Sequence, residues 1–196
     1  MPCPPIVAQA SCLYLGQNFA RLRLLPKVYC RGWLDVTLSS STIMTTELKV
    51  GDSAPDFKAT AVGGIYGGGH EVKLADFTGS MLVLYFYPQD DTPGCTAQAC
   101  DLRDSWRELQ SKVELFGVSI DSVQSHQDFI NKHGLPFPLL SDSDQKMVKA
   151  YQVWDEKEAT TERTTYLIGP DRKIKSILKE VKPTEHVTQL LKALAS

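Results

Sequence analysis

The 196-residue chain has no apolar run long enough to cross a bilayer. Its longest stretch free of charged or strongly polar side chains, glycine and proline is Met81–Tyr87, and seven residues fall far short of a membrane helix. It also lacks a basic excess. With 21 Lys and Arg against 23 Asp and Glu, the formal net charge is −2, which gives no cationic field for nucleic acid, and no aromatic-plus-basic signature of RNA binding is present. Histidines are few, four in all, and share no metal-ligand spacing, so no metal site is expected. There is no Cys-x-x-Cys pair. Five cysteines, an odd number without a zinc spacing, argue against a disulfide-stapled secreted scaffold and against a zinc finger.

What is present is ordinary globular composition, 42% hydrophobic and 22% charged, in a length suited to one compact domain and a tail. The charge is unevenly spread. Residues 1–44 carry Arg21, Arg23, Lys27 and Arg31 against the single acid Asp35, so they sum to +3 and the rest to −5. The same segment holds Cys3, Cys12 and Cys30 and leads into a Ser/Thr-rich stretch, Ser39–Thr46. An Arg-rich, Ser-rich, acid-poor segment has the composition of an organelle transit peptide. The alternatives are that Met44 is the true start and the upstream residues a start-site artefact, or that they form an extra structured element. The expected organisation is an extension over 1–44 and one domain over 45–196, cytoplasmic if translation starts at Met44 and mitochondrial or plastid if 1–44 is a transit peptide.

From Leu48 the pattern is α/β. Ala54–Thr60 and His70–Leu74 read as a hairpin joined by the Gly-rich link Gly63–Gly69, a flexible turn without phosphate-loop spacing. Met81–Tyr87, ended by Pro88, reads as a strand buried on both faces. A helix over Gln98–Ser111 follows, with Leu102, Trp106 and Leu109 on one face. Then come a strand over Val113–Ile120, a helix over Val123–His133 capped by Asp121 or Ser122, a short strand over Phe137–Leu140 and a helix over Asp144–Tyr151. A hairpin of Thr164–Ile168 with Lys173–Leu178 precedes an amphipathic helix over Thr184–Leu194 capped by Thr184. This is the layout of a thioredoxin-like fold, a central mixed sheet flanked by helices, with an N-terminal hairpin. His126, His133 and His186 are expected to face solvent from their helices, and Trp106 and Trp154 to serve packing.

The chemistry concentrates in Pro88–Cys100, between the C-terminal end of a buried strand and a helix, where open α/β sheets place their ligands. A cysteine in the first turn of that helix, Cys95, meets unpaired backbone N–H groups and the positive end of the helix dipole, both of which favour thiolate. Cys100 is five residues on. An unbroken helix would turn about 500° and rise about 7.5 Å between them, too far for a disulfide. If the two pair, the helix must unwind. Taken singly, Cys95 could be an ordinary helix-terminal thiol, Cys100 a small buried hydrophobe and Arg163 a solvated strand arginine.

The string Tyr85-Phe86-Tyr87-Pro88-Gln89-Asp90-Asp91-Thr92-Pro93-Gly94-Cys95-Thr96-Ala97-Gln98-Ala99-Cys100-Asp101-Leu102-Arg103-Asp104 contains Pro-x-x-x-Thr-x-x-Cys and resembles the active-site segment of the peroxiredoxins, in particular the peroxiredoxin Q, or bacterioferritin comigratory protein, subfamily. The resemblance extends from about Leu48 to Leu194, through Val50–Phe57 and Leu139–Asp142, and leaves out residues 1–44. It implies a thiol-specific peroxidase acting on hydrogen peroxide and organic hydroperoxides in antioxidant defence. Cys95 would attack the peroxide and become a sulfenic acid. Thr92 would hydrogen-bond the thiolate and the peroxide, Pro88 would shield the sulfur, and Arg163 would stabilise the charge. Cys100 would resolve the sulfenic acid as an intramolecular disulfide, reduced in turn by thioredoxin or a similar dithiol, in a monomer and with no metal, haem, flavin or other cofactor. A thioredoxin-type disulfide oxidoreductase is disfavoured by the absent Cys-x-x-Cys. A non-catalytic thioredoxin-like module would need neither Thr92 nor Arg163.

Overall fold

The computed structural model describes residues 47–195, so the expectations for residues 1–44 lie outside the described residues. Its framework is a seven-stranded mixed sheet. In chain order the strands and helices are β1 (Lys58–Val62), β2 (His70–Lys73), β3 (Leu82–Phe86), α1 (Pro93–Asp104), α2 (Trp106–Leu109), β4 (Glu114–Ser119), α3 (Val123–His133), β5 (Leu139–Ser141) and α4 (Lys146–Ala150). They continue with β6 (Trp154–Asp155), β7 (Thr160–Thr161), β8 (Thr165–Ile168), β9 (Ile174–Leu178) and α5 (His186–Leu194). The sheet order is β2-β1-β5-β4-β3-β8-β9, with β6 and β7 forming a separate two-stranded ribbon. The strand β3 runs parallel to β4 and antiparallel to β8, and β4 runs parallel to β5.

The apolar run that reads as a doubly buried strand is the middle of this sheet. Leu82, Leu84 and Phe86 point into one hydrophobic layer, with Phe116, Val118, Tyr166, Ile168 and the α4 residues Met147 and Val148. The intervening Val83, Tyr85 and Tyr87 point into the other, with Leu102 of α1, Phe129 and Ile130 of α3, and Leu190 of α5. A two-residue side-chain period thus divides one strand between two cores. Cys95 and Ala99 belong to the second layer, beneath α1, α3 and α5.

Several boundaries differ from those expected, each for a local reason. The first strand described starts at Lys58; ahead of it Pro55 cannot donate to a ladder, and among the described residues before it Ser53 alone bridges, to Lys173. The Gly63–Gly69 link closes on itself, Gly63 N–H donating to Gly67 O at 2.8 Å, and contains a short 3₁₀ turn, Gly64–Tyr66. The strand β5 likewise begins after a proline, Pro138. The helix expected over Gln98–Ser111 starts five residues earlier, at Pro93, where a missing N–H costs nothing and φ is already helical. It breaks at Ser105 (φ −95°, ψ 4°), so Trp106 and Leu109 sit on a separate turn. Ser122 caps α3, its Oγ accepting from Ser125 N–H at 3.2 Å. In the last helix Thr184 makes no side-chain cap: Pro183–Glu185 form a 3₁₀ turn and α5 starts at His186. No helix among the described residues is long and apolar enough to cross a membrane.

Candidate active site

Cys95 is the third residue of α1 and only 2% exposed, at the point where β3 has delivered the chain to the edge of the second core layer. Thr92 stands at the N-cap with extended backbone, φ −80° and ψ 150°, and its carbonyl accepts the first helical bond from Thr96 N–H at 2.8 Å. The Thr92 hydroxyl donates to Gln89 O at 3.2 Å, so its proton is committed to the loop and its oxygen keeps acceptor capacity. Pro88, half-buried, lies two residues past the end of β3. Cys100, also half-buried, lies on the same uninterrupted helix as Cys95, and both are free thiols.

Arg163 comes from 68 residues away. The two-residue ribbon of β6 and β7, not foreseen from sequence, turns the chain back ahead of it, and its carbonyl accepts from Val181 N–H at 3.1 Å. One guanidinium nitrogen, Nη2, donates to Cys95 Sγ at 3.1 Å; the other, Nη1, donates to Gln98 Oε1 at 2.8 Å. Both bonds come from one planar, permanently charged fork, so the orientation of Gln98 and the position of the sulfur are fixed together. Gln98 in turn meets Nδ1 of His186 at 3.0 Å, and Nε2 of His186 meets Thr165 Oγ1 at 2.9 Å.

Gly94 makes room for this arrangement. A Cβ built there would stand 2.9 Å from Arg163 Nη2 and 3.8 Å from Pro183 Cγ. Gly94→Ala should therefore push the guanidinium off the sulfur while leaving the helix no weaker, since alanine is the better helix former. The expected outcome is a drop of about tenfold in the second-order rate at which a small oxidant reacts with the Cys95 sulfur, and an unchanged or raised melting temperature. A fall in both would point to helix disruption instead.

On the other side of the loop, Asp90 is buried among donors. Tyr87 Oη donates to its Oδ1 at 2.7 Å, Ser125 Oγ donates to Oδ2 at 2.7 Å, and His126 Nδ1 lies 2.8 Å from Oδ2. The second nitrogen of His126, Nε2, faces Leu140 O at 3.2 Å, a carbonyl that only accepts, so Nε2 carries a hydrogen. Burial, then the Asp90 charge, push the Tyr87 phenol well above its usual range. The network clamps the loop between β3 and α1 to α3.

His126 and His186 thus correct the expectation of solvent exposure: both are fully buried with both ring nitrogens engaged. The signal was in the helix period. His126 stands three and four residues before the buried Phe129 and Ile130, and His186 four before the buried Leu190. His133, 18% exposed, pairs with Asp91 at 3.0 Å. Gln98 carried no signal on its own. Among the described residues no group of three or more His, Cys, Asp or Glu side chains is placed to hold a metal ion.

A buried thiol in the first turn of a helix, with a guanidinium on its sulfur, is the arrangement that a thioredoxin-like fold presents here, and comparison with known proteins says which class of enzyme carries it. The chain belongs to the AhpC/TSA family, whose model matches residues 50–177. Within it the likeness is to the peroxiredoxin Q and Bcp branch, and the activity is that of a thiol peroxidase. It is 38% identical to peroxiredoxin Bcp of Bacillus subtilis over 154 residues, 75% of this chain and 95% of that one. It is also 38% identical to peroxiredoxin Bcp of Escherichia coli K12 over 146 residues, 71% and 90% of the two chains. The solved structure of a mutant of Xylella fastidiosa PrxQ matches with a TM-score of 0.69 at 34% identity, over 77% of this chain and 99% of that one. Xanthomonas campestris bacterioferritin comigratory protein, whose trapped intermediate and ligand complexes bear on its alkyl peroxide reduction activity, matches with a TM-score of 0.66 at 34% identity, over 71% and 90%.

Proposed function

We propose that Cys95 is the sulfur that reduces hydrogen peroxide and organic hydroperoxides, and that Cys100 completes the cycle within the same chain. The observation that carries this reading is the 3.1 Å bond from Arg163 Nη2 to the buried Cys95 sulfur. The thiolate attacks one peroxide oxygen: an S–O bond forms as the O–O bond breaks, leaving a sulfenic acid and a hydroxide or alkoxide that takes up a proton and leaves as water or alcohol. Arg163 stabilises the anionic sulfur and the charge developing on the departing oxygen. Thr92 offers its oxygen to the hydrogen of the bound peroxide, and Pro88 shields the sulfur from water.

The Cys100 thiol then attacks the sulfenic sulfur; an S–S bond forms, the S–O bond breaks and water leaves. Because both cysteines lie on α1, this step asks for the helix to open between them and for no second chain, which supports a monomeric cycle. A dithiol protein, thioredoxin or one like it, returns the disulfide to two thiols by exchange.

The test is peptide mapping under non-reducing conditions after one equivalent of hydrogen peroxide. The expected product is a Cys95–Cys100 disulfide in the wild type and a sulfenic or sulfinic acid on Cys95 in Cys100→Ser, which oxidises once and then stalls unless an external thiol rescues it. Full turnover of Cys100→Ser with thioredoxin would remove Cys100 from the cycle. Two thiols still reduced in folded wild-type protein would overturn the role of Cys95.

A further inference from the structure

The contact between Arg163 and Cys95 has a support on its far side. Gln98 Oε1 accepts from Arg163, and the two ends of that amide are chemically opposite: one accepts, the other only donates. A half-turn of the amide would aim N–H groups at a guanidinium that has nothing but N–H groups to offer. What selects the working orientation is the partner of the other end, Nδ1 of His186 at 3.0 Å.

The direction of the whole chain of bonds then follows from its cationic end. Arg163 can only donate, so Gln98 accepts from it at Oε1 and donates from Nε2 to His186 Nδ1; His186 keeps its hydrogen on Nε2 and donates to Thr165 Oγ1, a hydroxyl that adapts to either role. The arrangement is consistent only with a neutral His186. Around that ring stand Arg163 ahead of β8, Gln98 on α1, Thr165 on β8 and the Tyr85 ring of β3 at 5.7 Å. Burial first, and then the Arg163 charge, lower the His186 pKa to about 4, so the neutral ring persists at physiological pH. His186 and Gln98 are both fully buried, so water is not at hand to take over a broken link.

We propose that His186 is a positioning residue for the peroxidase reaction: its unprotonated Nδ1 fixes the orientation of the Gln98 amide, which in turn holds the Arg163 guanidinium against the Cys95 sulfur. The inference rests on the roles proposed above for Cys95 and Arg163. It also gives α5, the last helix described, a part in the chemistry of a residue 91 positions earlier, exerted through Gln98 and Arg163, where otherwise it would only cover the core.

The experiment compares two isolated amides at one position. In His186→Asn the side-chain oxygen takes the place of Nδ1 and still accepts from Gln98. In His186→Gln the side-chain nitrogen takes the place of Nε2, and the acceptor is lost. The expected second-order rate with hydrogen peroxide is within about threefold of wild type for His186→Asn and about tenfold lower for His186→Gln. In a Gln98→Leu background His186→Gln should have no further effect, because the histidine acts through the amide. Equal losses in both variants, tracking a fall in melting temperature, would reduce His186 to a core residue, and so would an undiminished tenfold effect in the Gln98→Leu background.

Should neither variant fold, Gln98→Glu leaves His186 in place and sets a carboxylate oxygen against Nδ1, so Nδ1 should gain a hydrogen by nitrogen NMR, either by double protonation of the ring or by transfer from Nε2 as Thr165 turns to donate. A ring that keeps Nδ1 unprotonated would show that Nδ1 does not respond to residue 98 and would overturn the proposal. Arg163→Leu is the control: if that variant keeps its rate, the site reading fails; if it loses the rate while His186→Gln does not, only the positioning role fails.

Discussion

Replacing Cys95 by serine is expected to abolish peroxide consumption while leaving the melting temperature within a few degrees of wild type. The substitution exchanges one atom at a site 2% exposed, so packing changes little. The chemistry changes completely. A serine hydroxyl stays protonated at neutral pH, and the helix terminus and Arg163 that stabilise an anionic sulfur cannot make it an oxyanion. The fall should exceed about a thousandfold, to the background of peroxide reacting with the assay thiol. The check is peroxide consumption with a small dithiol as reductant, alongside thermal denaturation. Residual turnover of more than a few per cent in Cys95→Ser would move the chemistry to Cys100.

Arg163 is expected to show the next largest effect, and its two substitutions should separate charge from geometry. Arg163→Leu removes both the bond to Sγ and the bond to Gln98 and should lower the second-order rate about 10²–10³-fold, the range for losing a fixed donor at a site of developing charge. Arg163→Lys keeps one positive charge on a side chain with no fork, and one ammonium does not reproduce two bonds of fixed divergence. Its expected loss is about tenfold or more. Stopped-flow rates across a peroxide series distinguish the two. If Arg163→Lys equalled wild type, charge alone would suffice and the paired geometry would be incidental.

The parts of this molecule that were legible in the sequence are those whose cause is local. Met81–Tyr87 announces a doubly buried strand because every residue in it must find apolar company on one face or the other. Cys95 announces itself because strand end, Pro, Thr and Gly crowd around it within a few positions. The parts that were not legible depend on partners far away in the chain: Gln98 and His186 are 88 residues apart, and His126 meets a carboxylate 36 residues earlier. The helix period marks both histidines as facing the core, but it does not name the groups their rings would meet, which only the fold supplies. The β6–β7 ribbon was missed because two residues per strand leave no period to read.

The single helix that carries both cysteines has an electrochemical consequence. In its closed form α1 buries Cys95, Gln98, Ala99 and Leu102 against the second core layer. In the proposed cycle, forming a disulfide between Cys95 and Cys100 gives up part of that packing, so the stability of the closed helix would sit inside the reduction potential of the pair. Each 1.4 kcal/mol by which packing favours the closed form shifts a two-electron couple by about 30 mV toward the reduced side. A tightly packed α1 therefore makes the disulfide a stronger oxidant, more readily emptied by its reductant, and core residues with no sulfur, such as Leu102, help to set the voltage at which the enzyme is reset.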